Sequence, residues 1–242
     1  MKYGIISDIH SNLNALESTL RELETLKTDK IVCLGDIVGY GPQPNECIEL
    51  IRQSAEIVLT GNHDQGAIGK IGVHYFNRYA QAAIYWTRRH LTDSSVEYLS
   101  ALPFRAIVDG MMLVHASPGQ PAEWNYILSQ FDAEQSFTEF KEQFCFIGHS
   151  HSPIIFSNNS ESVFEIYDTS ELQADEKTRY IINVGSVGQP RDIDPRAAYG
   201  IFDTSSRIYQ LQRVKYDVKG TQKKMRKAGI DYFLIERLEI GQ

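Results

Sequence analysis

The chain has 242 residues, with 24 Lys and Arg against 31 Asp and Glu, a formal net charge of −7 when its seven histidines are counted as neutral. It is 42% hydrophobic, 11% aromatic and 23% charged, which excludes a disordered chain, a collagen and a membrane bundle. The acidic balance argues against nucleic acid as a partner, because general polyanion binders are normally basic. The length suits one domain spanning residues 1–242, with a core large enough to need no disulfides.

The chain reaches Asp8 and His10 before any long apolar run can form, so no signal peptide fits its start. No window approaches the ~18 apolar residues that cross a bilayer. Cys33, Cys47 and Cys145 show no CxxC spacing, and the expectation is a reducing, cytoplasmic compartment without membrane contact.

Lys2 to Ser7 reads as a short apolar strand. Asn12 to Leu26 reads as a helix, with Leu13, Leu16, Leu20, Leu23 and Leu26 in step, and Asn12 is better read as its N-cap than as a substrate contact. Lys30 to Leu34 is a second strand, Asn45 to Arg52 a second helix, and Ile57 to Leu59 begins a third strand ending at Thr60-Gly61-Asn62. This alternation implies parallel pairing with right-handed crossovers. Tyr75 to Leu91 predicts a long helix with Phe76, Tyr79, Ala83 and Trp86 in step, a stripe expected to serve the core. Its surroundings near Trp86 are a candidate surface for a homo-oligomer. His74 and His90 read as ordinary helix-face residues. Ser94-Ser95-Val96-Glu97 predicts a capping box opening a short helix.

After Pro103 the pattern turns to strands: Phe104–Val108, Met111–His115, Phe144–Ile147, Ile154–Phe156, Val163–Tyr167, Tyr180–Val184, Tyr199–Phe202 and Tyr209–Val214. Asp109-Gly110 is a hairpin turn, and the polar run Asp168 to Arg179 predicts a surface loop. Lys219, Lys223, Lys224, Arg226 and Lys227 read as a solvated helix face. An α/β first half with a β-rich second half predicts two sheets packed face to face, with helices outside.

The chemically loaded residues cluster just past predicted strand ends, where ligands of open α/β sheets bind. They are Asp8-Ile9-His10, Gly35-Asp36, Gly61-Asn62-His63-Asp64, His115 and Gly148-His149-Ser150-His151, which together hold five of the seven histidines. On an extended segment His149 and His151 would point the same way. Carboxylate, amide and imidazole donors suit a borderline divalent ion such as Mn²⁺, Fe²⁺ or Zn²⁺ and lack the thiolates of a structural zinc site. There are too many donors for one ion, and two ions sharing one carboxylate divide them evenly.

These five ordered motifs resemble those of the calcineurin-like metallophosphoesterase superfamily over almost the whole chain. Gly39-Tyr40-Gly41-Pro42 and Gly185-Ser186-Val187-Gly188-Gln189-Pro190-Arg191-Asp192 resemble its small bacterial and archaeal branch, some members of which are assigned as diadenosine tetraphosphate hydrolases. The resemblance implies an α/β, four-layer α-β-β-α sandwich of two packed mixed β-sheets flanked by helices. It implies that Asp8, His10 and His151 bind one metal, that Asn62, His115 and His149 bind a second, and that Asp36 bridges them. It further implies in-line attack by a bridging hydroxide, with His63 protonating the leaving oxygen. Mn²⁺ or Fe²⁺ is favoured, and Zn²⁺ shares the same ligands. The implied substrate is a small phosphorylated molecule, with a dinucleoside polyphosphate first.

One departure is informative. The phosphoprotein phosphatase branch carries an Asp-Arg pair where this chain has Gly39 and Tyr40, which weighs against a protein phosphatase and leaves the phosphate without its usual clamp. Arg191 is the first replacement and Arg196 the second, since a guanidinium fork can meet two phosphoryl oxygens. Tyr40 is equally a base-stacking residue or a space filler. The alternative activities are a general or cyclic-nucleotide phosphodiesterase and a phosphoprotein phosphatase. The non-enzyme alternative is a protein-binding scaffold on the same fold, which usually loses a ligand histidine.

Overall fold

The computed structural model of the chain describes residues 1–159, 164–167 and 170–242. The first half alternates as its periodicity predicts: β1 (Lys2–Ile6), α1 (Leu13–Thr25), β2 (Lys30–Cys33), α2 (Pro44–Ser54), β3 (Ile57–Val58) and α3 (Asn62–Ala67). Two further helices follow, α4 (Arg78–His90) and α5 (Asp93–Ala101), then the hairpin β4 (Arg105–Val108) and β5 (Met111–Val114). The remainder comprises α6 (Gln130–Phe137), β6 (Phe144–Ile147), β7 (Ile154–Asn158), β8 (Phe164–Tyr167), β9 (Glu171–Gln173), β10 (Arg179–Asn183), β11 (Ala197–Asp203), β12 (Ile208–Val214), α7 (Val218–Lys227) and α8 (Tyr232–Ile240).

The strands form two six-stranded mixed sheets, ordered β3-β2-β1-β11-β12-β9 and β4-β5-β6-β10-β7-β8. Pairing is parallel among β1, β2 and β3 and among β5, β6 and β10, and antiparallel elsewhere. Strand side chains alternate between faces, and here both faces are buried. Tyr3, Ile5, Leu113, Phe144, Phe146, Ile182 and Phe202 meet between the sheets. Ile6, Cys33 and Tyr199 face Leu16, Leu23 and Ile48 of α1 and α2. Met112, Cys145 and Ile181 face Ala133 and Phe137 of α6. The result is the expected four-layer α-β-β-α sandwich, and double burial explains why the strands read as continuous apolar runs.

Several boundaries differ from expectation. α4 begins at Arg78, because the Asn77 side chain caps it by accepting from the Tyr79 and Ala80 amides. Tyr75 and Phe76 therefore precede the helix. α5 is capped by Thr92, which accepts from the Ser95 amide, so the Ser94 box is not used. The polar run 168–179 contains β9, an edge strand that buries Leu172 and pairs with β12. Val163 of the expected strand 163–167, and residues 168 and 169, lie outside the described residues. Asn12 caps α1 by accepting from the Ala15 amide. The aromatic side of α4 turns to the C-terminal helices: Tyr79 stacks on Phe233, and the Trp86 indole donates to the Ala228 carbonyl. No helix among the described residues is long and apolar enough to cross a membrane.

Candidate metal centre

The turns leaving β1, β2, β3, β5 and β6 converge on one point. They bring together Asp8 and His10, Asp36, Asn62 and His63, His115, and His149 and His151, all buried. The chain changes direction there within one or two residues. Asp8, His10, Asp36, His149 and His151 accordingly have left-handed backbones, with φ between 50° and 68°. For residues other than glycine this costs of order 1–3 kcal/mol each, and such strain concentrates at functional sites. It also corrects an expectation. The segment carrying His149 and His151 is not extended, and the two rings diverge to different parts of the cluster.

Three sets of donors lie with their ligand atoms within 4.8 Å of one another: Asp8 with His10 and His151, Asp36 with His115 and His149, and an overlapping set of His10, Asp36 and His63. Asp36 belongs to two of them. Its Oδ2 stands 3.3 Å from His115 Nε2 and 3.7 Å from His10 Nε2.

The imidazole tautomers are set by carbonyls that can only accept. His10 Nδ1 donates to Val38 O at 3.0 Å, His151 Nδ1 to Gln189 O at 2.6 Å, and His115 Nδ1 to Leu34 O at 3.2 Å. His149 is turned the other way: its Nε2 donates to Trp124 O at 2.9 Å, which leaves Nδ1 as the free donor. Such outer partners fix ring orientation in metal sites.

The residues present fit divalent ions on these observations. The Nε2 atoms of His10 and His151 face each other at 3.0 Å. With both Nδ1 atoms protonated, two lone pairs oppose each other, an arrangement a cation between them would relieve. Donors bonded to one ion at about 2.1 Å stand about 3.0 Å apart on an octahedral edge and about 3.4 Å apart in a tetrahedron. The His151–Asp8 separation of 3.3 Å matches that scale. Asp8 Oδ1, Asn62 Oδ1 and His115 Nε2 are moreover buried without a hydrogen-bond partner, a costly condition in a dry interior.

The charges follow from the same packing. Burial disfavours the Asp8 charge, but His151 and His115 hold its carboxyl well below the usual range. Asp36 is likewise held low, with His115 overcoming burial. Burial opposes the charge on His115, yet Asp36 and Asp8 outweigh it and raise the ring to about 9. Burial pushes His63 down to about 4 and His149 down to about 3, and it also lowers His10 and His151.

A cavity of about 680 Å³ opens on the cluster, lined by Asn62, His63, His149 and Arg191 at its reactive end. The Arg191 guanidinium carbon lies 5.7 Å from the centre of the Tyr40 ring, and its Nη2 donates to Gln189 Oε1. Its Nε is buried without a partner. Arg196 is elsewhere: its guanidinium grips Asp194 through Nε and Nη2, and it does not line the cavity. Asp192 pairs with Arg213, so Arg191 alone of this loop's charged residues faces the site. Tyr40 is buried edge-on to His10 at 4.7 Å and packed on His63 at 4.5 Å.

Sequence reasoning placed Asp64 in a motif without giving it a role, and it missed Trp124 and Tyr126. Asp64 accepts from the Gly61 and Val38 amides and ties the start of α3 to the β2 loop. Its spacing three residues after Gly61 was the available clue. Trp124 and Tyr126 line the cavity from the irregular segment after β5, where no periodicity marks them.

Fold and site together define a hydrolase that works through metals held at strand ends. The chain belongs to the calcineurin-like phosphoesterase superfamily, whose domain matches residues 1–207, and it is a phosphoester-hydrolysing enzyme. It is 39% identical over 244 aligned residues to the uncharacterized protein MJ0912 of Methanocaldococcus jannaschii, covering 99% of this chain and 98% of that one. A solved metallophosphoesterase from Sphaerobacter thermophilus superposes with a TM-score of 0.89 at 41% identity, covering 100% of this chain and 99% of the other. The hypothetical protein PH1004 from Pyrococcus horikoshii shares the fold at 20% identity, with a TM-score of 0.81 over 100% of this chain and 98% of its own.

Proposed function

We propose that this single-domain, cytoplasmic enzyme is a dinuclear phosphohydrolase acting on a small nucleotide, with a dinucleoside polyphosphate as the favoured substrate. The observation that carries the dinuclear reading is Asp36, whose Oδ2 stands 3.7 Å from His10 Nε2 of one proposed ligand set and 3.3 Å from His115 Nε2 of the other. Asp8, His10 and His151 would hold one ion and Asn62, His115 and His149 the other, with Asp36 able to serve both. Mn²⁺ or Fe²⁺ is favoured, and Zn²⁺ is compatible with the same donors. When bound, such a pair supplies Lewis acidity toward a phosphoryl oxygen and a water acidic enough to attack at neutral pH.

The chain's own residues do the rest. Arg191 offers its unpartnered Nε to a phosphoryl oxygen at the cavity end. His63 delivers a proton to the leaving oxygen. Its low pKa in the free chain means that the bound phosphate's negative charge must raise it before it can act as an acid. Gly39 makes room for that ring: a Cβ there would stand 2.5 Å from His63 Nδ1, and its φ is +99°. An Asp like that of the phosphatase branch would crowd His63 at this position, which weighs against a protein phosphatase. The test is hydrolysis by Mn²⁺-loaded protein of a dinucleoside tetraphosphate, a phosphodiester, a cyclic nucleotide and a phosphopeptide. Release of two ADP from the first at the highest kcat/KM is expected. A phosphopeptide preference overturns the proposal.

A further inference from the structure

The cavity beside the cluster is built with two unlike walls. One carries Tyr40 and Phe76, both packed against His63, with Phe76 at 5.2 Å. The other is the segment after β5, which carries Trp124 and Tyr126. Tyr126 lies flat on the His149 ring, with centroids 4.0 Å apart and planes 20° apart. One face of its phenol is thus covered, yet the residue remains 49% exposed. Tyr126 lines the cavity beside the cluster and also borders a second pocket formed with Ser117 and Gln135. The same segment is tied to the cluster at a second point, because the Trp124 carbonyl accepts from His149 Nε2 at 2.9 Å. To present that carbonyl, Trp124 takes a left-handed backbone with φ 59°. This is a strained conformation for a bulky residue, and such strain persists only where its surroundings impose it.

A flat, amphipathic ring held rigid by a neighbouring ring is the recurring platform for a nucleobase. At the reactive end, His63 and Arg191 border the place a phosphate would take beside the cluster. The distance from that end to Tyr126 is spanned by the His149 ring on which Tyr126 rests. We propose that Tyr126 is the specificity-determining residue of this enzyme: it stacks the base of a nucleotide whose phosphate lies at the metal cluster, with Trp124 closing the wall beside it. The proposal rests on the nucleotide reading above and adds the residue that recognises the base. It also assigns the segment a positioning role, since the carbonyl that orients His149 and the ring that meets the base belong to one short turn.

The test reads binding as well as activity. The chain has two tryptophans, Trp86 and Trp124, so in a Trp86→Phe background all indole fluorescence comes from the cavity wall. The metal-loaded protein is titrated with AMP and with ribose 5-phosphate, each as its non-hydrolysable phosphonate. The two ligands share sugar and phosphate and differ in the base. AMP should quench Trp124 and bind about tenfold or more tightly than the sugar phosphate. Tyr126→Ala should weaken the AMP analogue by about 5- to 150-fold, the range for loss of one base–aromatic stack, and narrow the gap between the ligands. Tyr126→Phe should restore it. Equal affinities in the Trp86→Phe protein overturn the proposal. So does an equal loss for both ligands in Tyr126→Ala, which would leave Tyr126 acting only through His149. Base-dependent binding without hydrolysis of any phosphoester would keep the subsite and remove the proposed function. Hydrolysis of the tetraphosphate with equal binding of the two ligands would do the reverse.

Discussion

Replacing Asp36 by Asn is the sharpest perturbation of the cluster, because the structure dictates how the amide must sit. Asp36 Oδ1 accepts from the His63 amide at 2.8 Å. That N–H remains in the variant, so the Asn oxygen must face it and the NH₂ must take the place of Oδ2. A donor then stands where Oδ2 lies 3.3 Å from His115 Nε2 and 3.7 Å from His10 Nε2. Both ions lose a charge and a lone pair, and each should weaken by at least about 10²-fold, the upper end of what losing an outer partner costs. A second effect opposes this for one ion only. In the metal-free chain His115 titrates near 9, despite burial, because of Asp36 and Asp8. At pH 7 the ion beside it must displace a proton, which suppresses its apparent affinity by about 10²-fold. The substitution relaxes that competition, since it removes the largest of the carboxylate contributions that hold His115 charged against burial. The deficit at the His115 site should therefore be partly masked at pH 7 and fully expressed at pH 9. The deficit at the His10 and His151 site should not vary, because those rings are already neutral. Calorimetric Mn²⁺ titration under nitrogen at both pH values, with metal content by mass spectrometry, measures this. Loss of one ion at pH 9 with the other at wild-type affinity would refute a shared Asp36.

Further expectations concern the residues around the cluster. His63→Ala should lower turnover by about 10²–10⁴-fold, the usual worth of a general acid, with metal content unchanged; full turnover removes its role. Gly39→Ala combines a strained φ with a Cβ 2.5 Å from His63 Nδ1. It should cost about 1–3 kcal/mol of stability and depress turnover while both metals remain, and a variant with normal stability and turnover would contradict that crowding. Arg191→Ala should raise KM by about tenfold or more, the scale of one hydrogen bond to a charged group. Arg196→Ala, which breaks only the pair with Asp194, should leave KM where it is. Chelation should lower the melting temperature, since a ligand present at about 100 times its Kd stabilises by ~2.7 kcal/mol; identical melting with and without chelator would mean that the cluster holds no ion.

What could be read from the sequence follows from where the information lies along the chain. Phe144 and Phe146 face one core while Cys145 and Ile147 face another, so their strand announces itself as an uninterrupted apolar run. Asp8, Asp36, His115 and His149 follow such runs within a few residues, which made their convergence predictable. Trp124 and Tyr126 lie in an irregular turn whose course is set by contact with His149, a residue remote in sequence. β9 buries little beyond Leu172 and exists because β12 offers an edge. Arg196 was a poor candidate for a spatial reason: five residues past Arg191 the chain has already turned away to Asp194. α8 was missed although Leu234, Ile235 and Leu238 keep helical spacing and are buried.

The cluster also joins the two sheets. Asp8, leaving β1 of one sheet, accepts the amide of His149, which leaves β6 of the other, across 141 positions of chain. Ser186, which follows β10 of the second sheet, donates to the Asp8 carbonyl. No local stretch of the nascent chain can offer an ion its full set of donors. Contacts of such long sequence separation form late, after the loop entropy has been overcome. Metal loading is therefore expected to follow folding rather than to template it. The ion that occupies the site is selected by the folded cluster and by the metals available once synthesis is complete.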